Sequence, residues 1–317
     1  MANNYTEPSD YTLNNMVNIF NSIFLRGAAI LFVSAFSMYP QNRLLQWPVL
    51  FENLDDKITS LFGESRTDHF HNGVDIASFN QPVVSIAAGQ ILYSSYAEDN
   101  PFANESGPGN TVWINHGKGI MSAYYHLKDG RTRGILQNRM VQPLETIGIA
   151  GNTGHSAGGH LHFVVADNFG KRIIDPLAVL PPVKDTMAPQ IQSLMFHIGE
   201  KFTNVNDGDY INLSSSFPVT VRIRDAGEKK FQNRGIKFIH FILNGQDWKK
   251  ASFDVISYKD GKWVNPQGLE FEQLYYKDDY LMGSPGLKSG ENSVRVIARD
   301  YSGNTAERTF TFYVNRI

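Results

Sequence analysis

The chain has 317 residues, 42% of them hydrophobic, which is enough to bury a sizeable core, and at about 150 residues per domain its length suggests two domains. A formal net charge of −2 leaves no electrostatic footprint of a nucleic-acid binder. The absence of cysteine excludes disulfides, thiolate metal sites and an acylated lipoprotein cysteine; it fits an oxidising compartment and leaves any metal to histidine and carboxylate.

Residues 1–26 are polar to mixed and end at Arg26, residues 27–36 are apolar, and Ala35, Phe36 and Ser37 put small residues where a signal peptidase reads. Residues 1–37 are therefore expected to be a signal peptide cleaved after Ser37. If the apolar residues of 16–25 extend the run, they are instead a retained N-terminal anchor. Met16 would start a leader of more ordinary length. Either way the remainder is expected to be periplasmic or extracellular.

From Trp47 onward, residues 58–62, 83–86, 90–93, 111–115, 121–126 and 147–150 are short apolar or alternating runs bounded by Gly, Pro, Asn or Asp, as in an antiparallel sheet. No amphipathic helix of good length is predicted between Phe62 and Leu180. Pro181, Pro182 and Pro189 mark 182–189 as an extended linker. Beyond it, runs at 217–224, 236–243, 293–299 and 309–314 predict a second β domain. Phe310, Phe312 and Val314 alternate there with Thr309 and Thr311, giving one buried face. The expected fold class is mainly β, with an antiparallel β-sheet domain over 44–181 followed by an immunoglobulin-like β-sandwich over 190–317, without its disulfide.

Of 9 histidines, His69, His71, His116, His126, His155, His160 and His162 precede the linker and only His197 and His240 follow it, so a site is expected in the first domain. On a strand, residues two apart share a face, so His160 and His162 project together while Leu161 and Phe163 turn into a core. By itself that pair reads equally well as two polar side chains facing solvent. His71 and Asp75, four apart, are expected on one face of an extended strand, with Gly73 letting the backbone pass close beneath. Two imidazoles and one carboxylate, with a fourth position left to water, are the ligand set of a catalytic zinc site rather than a closed structural one. The chain has no His-Glu-x-x-His, so the glutamate base of helical zinc peptidases is missing.

Four blocks carry a family resemblance: Phe62-Gly63-Glu64-x-Arg66; His69-Phe70-His71-Asn72-Gly73-Val74-Asp75-Ile76; Tyr125-His126-Leu127; and Gly151-x-Thr153-Gly154 with Gly159-His160-Leu161-His162-Phe163. Over residues 47–181 they resemble the lysostaphin/LytM-type zinc endopeptidases, of duplicated-hybrid-motif-like fold, that cut peptide crosslinks in bacterial cell walls. The resemblance implies a Zn2+ cofactor held by His71, Asp75 and His162, and peptidoglycan peptide stems as the partner. It also implies that His126 and His160 are catalytic, His160 as general base toward the zinc-bound water and His126 as donor to the oxyanion. His69, His116 and His155 are assigned no chemistry and are read as rim or turn residues.

Where some members carry a tyrosine this chain has Ser65, and the adjacent Arg66 is either a cationic donor to the transition state or a partner of Glu64 or Asp68. The substrate is expected in an open groove across the sheet, walled by loops at 100–109 and 130–140, with Gly158 and Gly159 leaving room for its backbone. The expected function is hydrolysis of peptidoglycan peptide crosslinks. The alternative is a non-catalytic relative that binds wall or activates an amidase, and the presence of all three ligands and both catalytic histidines favours the enzyme. The second domain is left as a glycan or protein binder, a cap on the groove or a spacer.

Overall fold

Leu161, Phe163 and Val165 are fully buried along one face of the strand Leu161–Asp167, as a period of two predicts, and pack with Val74, Ile76, Val112, Ile114 and Tyr124 in the first of two cores. The computed structural model describes residues 45–97, 107–128, 130, 138–199, 201–227, 229 and 232–317. The leader read over 1–37 and most of the loops at 100–109 and 130–140 lie outside the described residues. Among the described residues no helix is long and apolar enough to cross a membrane.

The strand Leu161–Asp167 is paired on both sides, always antiparallel. Ile120–Leu127 runs along one edge; on the other, Val74–Ile76 takes the first part and Arg172–Ile174 the second. The register sets Asp75 opposite His162, and His162 opposite Tyr125. Beyond Ile120–Leu127 the sheet continues through Asn110–Gly117, Gly89–Ser95 and Met140–Val141. The apolar runs of the sequence are thus strands, with ends displaced by a residue or two.

Residues 181–189 form neither helix nor strand. After them come one sheet of six strands and one of five, which face each other: Phe196 on Gln190–Ile198 meets Phe312 on Thr305–Arg316 edge to face at 5.8 Å. Phe310, Phe312 and Val314 are fully buried, as their alternation predicts. One pairing departs from the antiparallel pattern, with Tyr210–Leu213 parallel to Thr305–Arg316.

Two features cross the boundary that the prolines mark in the sequence. The hairpin of Val255–Lys259 and Lys262–Val264 leaves the second half and extends the first sheet, with Val255, Ile256 and Ser257 opposite Ile174, Ile173 and Arg172. In the other direction, Phe62, Phe70, Val164 and Ile173 are buried in the second core beside Phe253, Ile256 and Phe271. The strand Leu161–Asp167 is therefore covered on both faces. That is why its sequence is a nearly continuous apolar run rather than a clean alternation. The face carrying His162 is accordingly not an open groove along its whole length, as the sequence led us to expect.

Candidate active site

The strand that carries Asp75 is only Val74–Ile76, and His71 precedes it. The four-residue spacing of an extended strand is therefore not what joins His71 to Asp75, which corrects the sequence reading. Instead the chain turns between Gly63 and His71, where His71 N donates to Glu64 O at 2.7 Å and Gly63 N to His71 O at 2.8 Å. It then runs in over Gly73, where a Cβ would lie 2.3 Å from Phe163 O, so that no side chain is tolerated. The close backbone approach expected of Gly73 is present, and its partner is the strand of His162.

Three atoms meet at this point. His71 Nε2 is 3.0 Å from His162 Nδ1 and 3.1 Å from Asp75 Oδ1, and the latter two are 2.8 Å apart. His71 Nδ1 lies 2.6 Å from Leu61 O; a carbonyl can only accept, so Nδ1 carries the proton and Nε2 presents a lone pair. With Asn72 Oδ1 assigned as acceptor from His162 Nε2 at 2.8 Å, His162 Nδ1 is likewise bare. Burial pushes the His162 imidazole down to about 4, so it is neutral at pH 7.

Two lone pairs and a carboxylate oxygen so close together repel one another unless a cation lies among them. Tetrahedral N and O ligands at about 2.0–2.1 Å from zinc are spaced about 3.3 Å apart, a few tenths beyond the distances here. The donor set fits a zinc ion, and the bonds to Leu61 O and Asn72 Oδ1 are the outer contacts that aim such ligands.

His126 and His160 stand beside this triad. The His126 ring centroid is 4.7 Å from that of His160 and 6.1 Å from that of His162. His126, next to last in the strand Ile120–Leu127, lies in the left-handed region, at φ 61°, with its N–H on Pro108 O and its carbonyl accepting from Gly151 N. Its Nδ1 donates to Thr153 O at 2.8 Å, and burial lowers its pKa. His160 is joined to Gly151 by an isolated bridge just before the strand begins; its Nδ1 donates to Gly158 O at 2.8 Å, and its Nε2 is 3.7 Å from Asp75 Oδ1. In both rings a backbone carbonyl takes the Nδ1 proton and leaves Nε2 free for chemistry.

Among the described residues no other histidine joins the triad, although His155 lies near enough to His126 to help lower its pKa. His116 is buried between Ala88 O and Ser122 Oγ, His69 pairs with Asp68 on the surface, and His155 is exposed. For Arg66 the structure selects Glu64, not Asp68, and adds a partner: Nη2 donates to Asp75 Oδ2 at 2.9 Å and to Ser60 Oγ at 2.6 Å. Ser65 turns away and donates to Lys277 O in the second half. Gly159 leaves room for the Phe79 side chain rather than for a substrate backbone, since a Cβ there would be 2.5 Å from Phe79; Gly158 does face open space.

Sequence reasoning missed several supporting residues. Asn72 had a signal, because it sits between a ligand and Gly73. Tyr125 stands in one of the resemblance blocks, but its stacking on His162 at 5.4 Å and 9° had no signal, nor did Asn233, which donates to Glu64 Oε2 at 2.9 Å, because pairing and docking decide them. A groove of about 420 Å³ beside Asn72 is lined from both halves, by His69 and Phe70 and by Lys262, Trp263 and Phe271.

Residues 69–176 match the model of Peptidase family M23, and a second family model matches residues 188–315. The chain is similar to the DD-carboxypeptidase/endopeptidase Mpg of Neisseria meningitidis serogroup B, with 30% identity over 140 residues, 41% of this chain and 28% of that one. It is also similar to the peptidoglycan DD-endopeptidase ShyA of Vibrio cholerae, with 33% identity over 94 residues, 29% of this chain and 19% of that one. A solved zinc-containing peptidase from Vibrio cholerae aligns at 26% identity and a TM-score of 0.36, covering 45% of this chain and 41% of that one. The chain spans about a quarter of the length of the curated relatives it matches.

Proposed function

From the M23 (LytM/lysostaphin-type) peptidase domain that this chain carries, we propose that the protein is a zinc-dependent endopeptidase hydrolysing peptide crosslinks of bacterial peptidoglycan. The observation that carries this reading is the meeting of His71 Nε2, Asp75 Oδ1 and His162 Nδ1 beside two further histidines whose Nδ1 atoms are already committed to carbonyls. A zinc ion held by the three donors supplies Lewis acidity toward a peptide carbonyl and lowers the pKa of water.

His160 Nε2 takes the proton of the attacking water, and Gly158 O holds its ring in the required tautomer. His126 is wired in the same way through Thr153 O, so its Nε2 accepts when neutral and donates to the oxyanion once protonated. Burial lowers the His126 pKa, so the proton that reaches the leaving amine is the one His160 took from the water. A peptide stem enters along the groove beside Asn72, where Trp263 offers an aromatic wall and the Lys262 ammonium is paired with Glu270. The substrate lies outside the cytoplasm and the apolar run at 27–36 has the shape of an export signal, which supports a periplasmic or extracellular location. For residues 190–317 the two facing sheets support the immunoglobulin-like reading.

The deciding experiment is digestion of purified crosslinked muropeptides by the zinc-loaded protein. Uncrosslinked monomers should appear with wild type and fall by at least about 100-fold with His160→Ala. Zinc binding in wild type without any cleavage would favour the non-catalytic alternative.

A further inference from the structure

A second group of acidic side chains lies outside the histidine site. It is formed by Asp185 in the irregular segment 181–189, Asp225 in the strand Val219–Ala226 and Asp300 at the end of the strand Gly290–Asp300, and one oxygen of each lies within 4.8 Å of the others. Asp225 and Asp300 are each 1% exposed. Asp300 is fixed in place, its Oδ1 accepting from Gly303 N at 2.6 Å and Asn304 N at 2.8 Å and its Oδ2 from Asn304 Nδ2 at 2.8 Å. The same Asn304 amide reaches Asp185 O and Met187 O, which draws the linker onto this turn.

Asp225 is the anomaly. Both of its carboxylate oxygens are buried without a hydrogen-bond partner, although a buried carboxylate left in that state is costly and rare. Arg234 sits opposite it across the pairing of Val219–Ala226 with Asn233–Arg234, yet does not satisfy it. Arg234 Nε is 3.9 Å from Asp185 Oδ2, Nη2 is spent on Asp55 O at 3.1 Å, and Nε and Nη1 have no acceptor. Three carboxylates thus gather in a buried place, and both oxygens of Asp225 are left without a hydrogen-bond partner there.

We propose that Asp185, Asp225 and Asp300 bind a divalent calcium ion, at a structural site separate from the zinc ligands. The donor set is oxygen alone, which suits a hard cation rather than zinc. Calcium takes bidentate carboxylates in irregular geometry, as the two free oxygens of Asp225 allow, whereas magnesium demands a near-octahedral shell and keeps several waters. Without the cation, burial together with Asp300 and Asp185 pushes the Asp225 carboxyl up to about 8, so a proton takes its place. The ion ties the linker to the end of the sandwich that docks on the first half, where Gln232 donates to Asp55 O and Ile58 O and Asn233 to Glu64.

The test uses the full chain, stripped of metal, reloaded with zinc and titrated with calcium chloride. It is followed by equilibrium dialysis with radioactive calcium and by thermal melting. One calcium per chain and a rise in melting temperature are expected in wild type and in His162→Ala. Both should be lost in Asp225→Asn, whose fold is preserved because the change removes a buried charge and keeps the shape, and in Asp185→Asn, which alters only the linker ligand. The proposal is overturned if wild type binds no calcium at millimolar concentration, if binding survives in both aspartate variants, or if it disappears with His162→Ala alone.

Discussion

Arg66 Nη2 donates to Asp75 Oδ2 at 2.9 Å, so the guanidinium holds the outer oxygen of the carboxylate whose inner oxygen meets His71 and His162. Arg66 is itself fixed by Ser60 Oγ and the buried Glu64, and Glu64 Oε1 accepts from Leu61 N at 2.6 Å. Leu61 O in turn accepts from His71 Nδ1. The motif from Phe62 to Arg66 thus braces His71 and Asp75, the two residues proposed as metal ligands, from behind. Arg66→Ala is expected to weaken zinc affinity by about 10–100-fold while leaving the fold intact, because contacts of this outer kind orient ligands without supplying them. Competition with a chelating dye measures it, and an affinity within twofold of wild type would remove the brace from the account.

Gly73→Ala should destabilise the protein by about 1–3 kcal/mol and impair zinc loading, because the new Cβ would meet the backbone of Phe163, which cannot move without shifting His162. Gly158→Ala is the control, since its Cβ would enter open space, and a change within about 0.5 kcal/mol is expected. Urea midpoints of the two variants give the comparison.

Phe70 precedes His71, yet its ring lies in the second core, 5.3 Å from Phe271 and 6.4 Å from Phe253. Phe70→Ala should cost about 3–5 kcal/mol by leaving a cavity. Phe271→Ala, a change far along the chain, should also weaken zinc binding, because the packing that seats Phe70 seats the histidine beside it. Zinc titration of Phe271→Ala tests that coupling directly; unchanged affinity would show that the halves are energetically separate.

Asp175 is buried and accepts from Leu177 N at 2.9 Å at the start of the turn Pro176–Ala178. Burial pushes its carboxyl up to about 7, against about 3.9 for an unfolded aspartate. A folded-state value above the unfolded one means that the native state binds the proton more tightly. The stabilisation is complete below about pH 4 and is lost as pH rises through about 7. Asp175→Asn, which keeps a capping side chain without the charge, should flatten the fall in stability between pH 5 and pH 8 measured by chemical denaturation. An unaltered slope would mean that burial of this carboxyl is relieved in some other way.

The sequence by itself determined the mainly β class and the strand runs, because these depend on local matters, alternation of apolar side chains and turn residues; it singled out His71, Asp75, His126, His160 and His162 as candidates through histidines crowded ahead of a proline-rich linker and through a family resemblance. The Gly73 reading also followed from sequence, since a glycine flanked by ligating residue types signals a close backbone approach.

Only the tertiary structure decided how those residues meet. Whether His160 and His162 formed a site or lay idle on a surface depended on which strand paired beside them, and the register that sets Asp75 opposite His162 is a long-range choice. The roles of Arg66, Asn72 and Asn233 depended on side chains arriving from other segments. The hairpin Val255–Lys259 with Lys262–Val264 crossed a boundary that composition marks plainly, because the edge of the first sheet at Arg172–Ile174 needed a partner for its backbone groups. A linker in the sequence is a statement about local stiffness, and burial of Phe62, Phe70 and Val164 is settled by whatever apolar surface lies within reach.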